Sequence, residues 1–330
     1  MSQKIHAGFL GTGSYLPEKI MTNKDMEKVV ETTDEWIVTR TGIHERHIAA
    51  AGESTSDMAA EAAKKALRKA GIKASDLDLI IVSTITPDMP TPSTACLVQA
   101  KIGAPQAAAF DLSAACSGFV YGLAVAKAFV ESGHYQHILL IGAEKLSAFM
   151  DWKDRTTCVL FGDGAGAAVI GRVGEEGHEI ISTFMAANGA EADLLKIPGG
   201  GSKTPASDES IQGGLHFLKM QGKEIFKIGV KVMADAALKV VQDAGLTLEQ
   251  ITWVIPHQAN LRIIQAVGER LGVPESKLYV AVGKMGNTSA ASIILALDEA
   301  VEKQKLKKGD NVVLVAVGAG TTYASALVRW

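Results

Sequence analysis

The sequence predicts an α/β fold built from two similar halves, and three observations carry that prediction. Amphipathic helical stretches alternate with short strands, several of those strands are apolar almost without interruption, and the second half of the chain echoes the first. Alternation of this kind marks α/β units, and uninterrupted apolar strands belong to sheets covered on both faces.

Ser54 to Ala70 carries Met58, Ala62, Ala63, Ala66 and Leu67 at helical spacing, stops at Gly71, and is followed by the run Leu79-Ile80-Ile81-Val82. A helical period, a closing glycine and an apolar run read as helix, cap and strand. His137 to Ile141 and Val312 to Val317 read as two more central strands. The echo comes from two blocks. Ala62 to Gly71 with its strand matches Ala236 to Gly245 with Trp253-Val254-Ile255 at an offset of 174, and Ile138 to Ala143 matches Val313 to Ala319 at 175. Nearly equal offsets at separate places argue for a duplicated unit, against the alternative that helix-glycine-strand segments look alike everywhere. The halves are expected at 1–175 and 176–330. Stretches rich in glycine and polar residues at 171–178 and 187–214 read as their junction and a long surface loop.

Composition sets the outer bounds. At roughly 150 residues per domain, 330 residues make about two units. With 47% hydrophobic and 21% charged residues the chain is not disordered, and 33 glycines without a three-residue period are not collagen. A balance of 33 basic and 36 acidic residues offers no field for a phosphate backbone, so no nucleic acid partner is expected. Three cysteines, Cys96, Cys116 and Cys158, form no even set and no C-x-x-C pair, which fits a reducing cytoplasm. No signal peptide, membrane span or metal-ligand spacing is read, so neither a membrane nor a metal is expected.

Cys116 lies where a strand passes through small residues into an apolar helix, Ala114-Ala115-Cys116-Ser117-Gly118-Phe119-Val120. A thiol at a helix N-terminus meets unpaired N–H groups and the positive end of the dipole, which favour thiolate. The plainer reading is a small cysteine filling a tight turn. His257 follows the strand Trp253-Val254-Ile255-Pro256, at the carboxyl end where α/β sheets bind ligands. Asn287 precedes a helix running toward Val301, and taken alone it reads as an N-cap. Gly318-Ala319-Gly320 leaves the last long run, either as a plain turn or as backbone that points an N–H at an oxyanion. Because the offset relates these places, strand and helix ends of the two halves are expected to face one another, with Cys116, His257 and Asn287 in one cavity. Phe161-Gly162-Asp163-Gly164-Ala165-Gly166-Ala167 lacks the Lys-Ser/Thr of a phosphate loop and reads as structural.

These segments, together with Gly11 to Pro17, Asp34 to Ile43, Pro256 to Asn260, Gly286 to Ser289 and the terminal Ser325 to Trp330, make the chain resemble the β-ketoacyl-[acyl-carrier-protein] synthase III family. These are the initiating condensing enzymes of type II fatty acid synthesis, within the thiolase superfamily. The resemblance runs over essentially all of the chain. It implies a thiolase-like fold of two pseudo-symmetric halves in five αβαβα layers, a cytoplasmic homodimer, and no cofactor beyond a coenzyme A thioester as substrate. Cys116 would take the acyl group of an acyl-CoA, acetyl-CoA above all. His257, as a neutral donor, and Asn287 would stabilise the enolate left when malonyl-acyl carrier protein loses CO₂. The backbone N–H groups of Cys116 and Ala319 would form the oxyanion hole.

By the same resemblance Thr32, Trp36, Arg40, Arg155 and Asn260 would bind coenzyme A, and Phe226 would line its tunnel. Arg262, Lys227, Gln258 and Ala259 would meet the carrier protein. The chain departs from the family pattern at Ala319, often the middle one of three glycines, at Thr156, often glycine, and at Glu269, which replaces a basic residue. It departs also at Thr91, where acetyl-specific members often carry a phenylalanine that closes the acyl pocket from across the dimer. A smaller residue there leaves open a longer or branched starter, as in secondary metabolism. A Cys-His-Asn thioester hydrolase, with histidine as base, and a non-catalytic acyl-CoA or carrier-protein binder are the readings from other classes.

Overall fold

The computed structural model describes residues 5–174 and 177–330. The boundary expected between residues 175 and 176 therefore lies outside the described residues.

Nine strands form one sheet: β1 (His6–Tyr15), β2 (Leu79–Ser83), β3 (Ala108–Leu112), β4 (His137–Glu144), β5 (Gly164–Val173), β6 (His178–Ala187), β7 (Trp253–Pro256), β8 (Asn311–Gly318) and β9 (Thr322–Arg329). Seven helices matter for the site: α1 (Asp34–Thr41), α2 (Thr55–Ala70), α3 (Thr94–Ile102), α4 (Gly118–Glu131), α5 (Gly222–Asp243), α6 (Leu261–Leu271) and α7 (Ala291–Glu302). The strand order is β7-β8-β9-β6-β1-β5-β4-β2-β3. It reads outward in the same way from the β6/β1 junction on either side: an antiparallel strand, then a pair of parallel strands at the far end. The first half has a fifth strand, β3. In the second half that place holds a single parallel bridge, Val254 to Leu278.

Register confirms the repeat and tightens it. Leu79 lies beside Ile138, and Trp253 beside Val312, so both strands of the pair are displaced by 174 residues. The offset of 175 read from the second block is one residue too long. The same displacement relates two non-glycine residues with left-handed backbone, Ala115 and Ser289, each at φ +48°. Such a conformation is rare for residues with a Cβ. Its recurrence at the start of α4 and of α7 shows two equivalent turns.

The apolar runs are buried on both faces, as their composition predicts. Leu79 and Ile81 point into one core with Phe119, Leu123, Ile294 and Leu314, while Ile80 and Val82 point into another with Met58, Ala62 and Ala66. A third core holds Val254, Val313 and Val315 against Val240, Ile264 and Val267. Helices α4 and α7 thus lie in the central layer, α2 and α3 cover the first half of the sheet, and α5 and α6 cover the second. Each large apolar side chain so enclosed contributes roughly 1.5–3 kcal/mol. This packing holds the N-termini of α4 and α7 side by side.

Candidate active site

Cys116 sits in a short 3-10 turn, Ala115–Ser117, that opens α4. The turn is pinned from the other half: Thr322 Oγ1 donates to the Ala114 carbonyl at 2.9 Å and accepts from Ser117 Oγ at 2.8 Å. Gly318, the last residue of β8, runs against the same turn. A Cβ there would fall 2.7 Å from the Cys116 nitrogen and 2.9 Å from the Ala114 oxygen, so only glycine leaves the Cys116 amide uncovered. Ala319 follows at the start of another 3-10 turn. The backbone of positions 116 and 319 is thereby brought to one point.

His257 is 2% exposed at the end of β7, and its Nδ1 lies 2.6 Å from Ser292 Oγ, which leaves Nε2 as the free ring nitrogen. Burial pushes the imidazole down to about 3, so the ring is neutral. Asn287 is no N-cap; α7 starts at Ala291 and Ala290 takes that position. Its backbone is clamped by Leu160 and Gly162, its Oδ1 accepts from the Ser289 N–H at 2.9 Å, and Nδ2 remains. The glycine-rich Phe161 to Ala167 segment is the brace of Asn287 and not a phosphate loop, in keeping with its structural reading. Asp163 within it is fully buried and holds the Ala49 and Ser147 amides, each at 2.8 Å.

A cavity of about 120 Å³ joins these groups: Cys116, His257, Asn287 and Ala319 line it with Asn260 and Phe226. A second cavity of about 220 Å³ opens on the far side of the cysteine, walled by Ile85, Leu146, Phe161, Ile197 and Leu218. Cys116 and Ala319 line both. The long 187–214 loop supplies Leu195 to both walls, so it is part of the site.

The electrostatics of Cys116 differ from the expectation. Burial pushes its thiol up to about 12, the nearby Glu144 adds to this, and the Ser289 hydroxyl and the cysteine's own N–H oppose it. Desolvation outweighs the helix end, and the resting group is a thiol. Glu144 and Ser289 were not found from the sequence. Glu144 is fully buried at the end of β4, accepts from Thr86 Oγ1 at 2.7 Å and from Thr84 Oγ1 and the Ile85 N–H at 3.1 Å, and burial pushes it up to about 7. Ser289 is 1% exposed and its hydroxyl has no partner at hydrogen-bonding geometry, yet it draws both Cys116 and Glu144 down. An acid amid hydroxyls in an apolar stretch gives no periodic signal.

Among the expected nucleotide contacts, the Arg40 guanidinium lies 4.5 Å and the Arg155 guanidinium 5.3 Å from the centre of the Trp36 ring. Thr32 stands in the same segment with a buried hydroxyl that has no partner. Asn260 caps α6, accepting from the Ile263 N–H at 2.9 Å, and its amide nitrogen is left for a ligand. Arg262 and Lys227 are exposed, as docking requires, and Ala259 is half-buried at the cavity wall.

Gln258 does not stand at the surface that the resemblance implies for it. It is fully buried, its Nε2 donates to the Pro256 and Tyr279 carbonyls at 2.7 and 3.1 Å, and its Oε1 accepts from the Ala281 and Val282 amides. A side chain so engaged holds the His257 loop and cannot meet a carrier protein. Thr91 is exposed and lines neither cavity of this chain. Cys96 is likewise exposed. Among the described residues no group of three or more metal-capable side chains gathers, and no helix is long and apolar enough to cross a membrane.

Residues 110–189 match the family described as 3-oxoacyl-[acyl-carrier-protein] synthase III, and residues 241–330 match its C-terminal family. The β-ketoacyl-[acyl-carrier-protein] synthase III of Caldanaerobacter subterraneus subsp. tengcongensis is 57% identical over 330 residues, covering 100% of this chain and 99% of that one. The crystal structure of the 3-oxoacyl-[acyl-carrier-protein] synthase III of Aquifex aeolicus superposes with a TM-score of 0.91 at 47% identity, over 98% of this chain and 100% of that one. A priming β-ketosynthase from a polyketide pathway superposes with a TM-score of 0.91 at 36% identity, over 99% and 97%. The fold is thus thiolase-like, with two α/β halves about one internal axis. The chain belongs to the β-ketoacyl-[acyl-carrier-protein] synthase III family, and it is a condensing acyltransferase of fatty acid synthesis.

Proposed function

We propose that Cys116 is the nucleophile and that His257 and Asn287 are the donors of the condensing step. The observation that carries this reading is the single cavity in which the thiol of one half faces the imidazole and carboxamide of the other. The Cys116 sulfur attacks the thioester carbon of an acyl-CoA, the oxyanion is met by the Cys116 and Ala319 N–H groups, and coenzyme A leaves carrying the thiol proton. Malonyl-acyl carrier protein then loses CO₂. The enolate oxygen accepts from His257 Nε2–H and Asn287 Nδ2–H, and its carbon attacks the acyl-cysteine, expelling the sulfur as a thiolate that takes one proton from solvent to return to the thiol, and giving 3-oxoacyl-acyl carrier protein. A neutral ring with its basicity suppressed suits donation and not proton abstraction, which weighs against a hydrolase with histidine as base.

Trp36, Arg40 and Arg155 supply a flat ring and two guanidiniums for the nucleotide of coenzyme A, with Thr32 beside them and Phe226 along the way to Cys116. Arg262 and Lys227, with Lys223 and Lys231 four residues to either side on α5, offer exposed cations to an acidic carrier protein near the half-buried Ala259. A homodimer is supported by β3, which among the described residues is an edge strand paired only with β2 and carries Phe110, 37% exposed. Thr91 lies on the exposed loop before α3, and a partner subunit is what would bring it to an acyl pocket.

A longer or branched starter has its own support in the second cavity, whose volume of about 220 Å³ far exceeds the roughly 30 Å³ of one water. Intact-protein mass spectrometry after exposure to acyl-CoAs of increasing length, with Cys116→Ala as control, tests both points. An adduct lost in the control supports the nucleophile, and its preferred length reports the starter. No adduct with any acyl-CoA would overturn the reading.

A further inference from the structure

His257 and Asn287 can act as the donors proposed above only if each presents an N–H to the cavity. An imidazole and a carboxamide each carry an acceptor as well, so something must fix which atom faces the substrate. For Asn287 the Ser289 amide does so by engaging Oδ1. The partner of His257 comes from the same turn of chain: Ser292, in the first turn of α7, places its Oγ 2.6 Å from Nδ1.

The direction of that bond follows from where the other groups go. Ser292 Oγ already accepts from the Gln258 N–H at 3.3 Å. Its own proton finds no carbonyl or carboxylate among the described residues, and Nδ1 is the one acceptor in reach. A hydroxyl that accepted from both Gln258 N–H and Nδ1–H would leave its proton unpaired in a fully buried site, which is unfavourable. We propose that Ser292 is a positioning residue, donating to His257 Nδ1 and so keeping the ring proton on Nε2, the nitrogen that faces the substrate. The inference rests on the donor role assigned to His257.

The duplication provides an internal contrast. By the displacement of 174, His257 corresponds to Ser83 and Ser292 to Gly118. In the first half the strand end carries the hydroxyl, and Ser83 Oγ donates to the Gly118 carbonyl at 2.9 Å. The approach there is close, since a Cβ on Gly118 would meet the Ser83 Cβ at 3.1 Å. In the second half the hydroxyl has moved to the helix and the strand end carries the ring. The same junction that only ties strand to helix in one half orients an imidazole in the other.

Nitrogen-15 NMR of histidine-labelled full-length protein reads the ring proton directly, without substrate. The expected result is His257 protonated on Nε2 in the wild type. In Ser292→Ala the ring should shift toward a mixture of tautomers, with condensation slowed at least about tenfold and acyl-adduct formation at Cys116 within about twofold. Ser292→Thr, which keeps the hydroxyl, should restore both signals, and it serves also if the alanine variant folds poorly. A wild-type ring protonated on Nδ1, or a Ser292→Ala protein whose tautomer is unchanged, would overturn the inference. The two readings separate cleanly: if His257→Ala leaves condensation intact the donor role fails, whereas the tautomer still reports on Ser292 alone.

Discussion

The two halves meet at equivalent junctions that have been put to unlike uses. In the first, the residues at the ends of the parallel strands and the start of the central helix are Ser83, Glu144 and Cys116; in the second they are His257, Gly318 and Ala290. The strand end at Gly318 carries no side chain and lies against Cys116, so that side of the axis is open to a ligand. The strand end at Glu144 carries a carboxyl that reaches Thr84, Thr86 and the Ile85 amide, so there the strand end itself is occupied by a side chain. A duplicated fold offers two sites by symmetry. Here a glycine keeps the approach to Cys116 open at one strand end and a buried acid occupies the other, and the cavity takes its thiol from one half and its imidazole and carboxamide from the other.

Cys116→Ala, which makes the helix starts of the two halves alike, should remove acyl-adduct formation and condensation together. A residual adduct in the mass spectrum would show that the nucleophile lies elsewhere. His257→Ala or Asn287→Ala should lower malonyl-dependent condensation about 10²–10³-fold, the loss associated with one donor to a developing oxyanion, while acylation of Cys116 stays within a few-fold. Equal losses in both half-reactions would erase the division between the halves.

Gly318→Ala puts a Cβ 2.7 Å from the Cys116 nitrogen, and either backbone must move. A destabilisation of about 1–3 kcal/mol is expected, with slowed acylation, as seen by denaturant titration and stopped-flow release of coenzyme A. An unaffected acylation rate would mean that the approach of the two backbones is not what forms the oxyanion site.

The buried titratable groups on either side of the axis predict opposite pH slopes. Between about pH 3 and 6.5 an unfolded chain holds a proton on His257 that the folded one does not, so this group adds stability as pH rises. Between 4.5 and about 7 the folded chain holds a proton on Glu144 that the unfolded one has lost, so this group withdraws stability as pH rises. Unfolding free energies measured from pH 5 to 7 should slope more steeply upward in Glu144→Gln and more steeply downward in His257→Gln than in the wild type. The smallest effect belongs to Ser83→Ala, the counterpart of His257. A loss of about 1 kcal/mol from its hydrogen bond, with unchanged half-reactions, would confirm that only one junction is catalytic.

The alternation of helices and apolar strands, the repeat, and the placing of a cysteine and a histidine at element ends were all written in local sequence. Periodicity and breakers act over a few residues, and a duplication leaves its spacing in the chain. Which atoms of those side chains face the substrate was not written there. His257 Nδ1 is settled by Ser292, 35 residues on, and Glu144 by Thr84, 60 residues back. Gln258 looks like a surface contact beside His257 and proves to be a buried strut, because only the packed loop shows its four bonds. A helix end favours a Cys116 thiolate, and burial pushes the thiol the other way, since desolvation depends on both halves closing over it. Residue types and their order determined the kind of enzyme; burial and hydrogen-bond direction, which exist only once distant segments are packed, decided the protonation and polarity of its site.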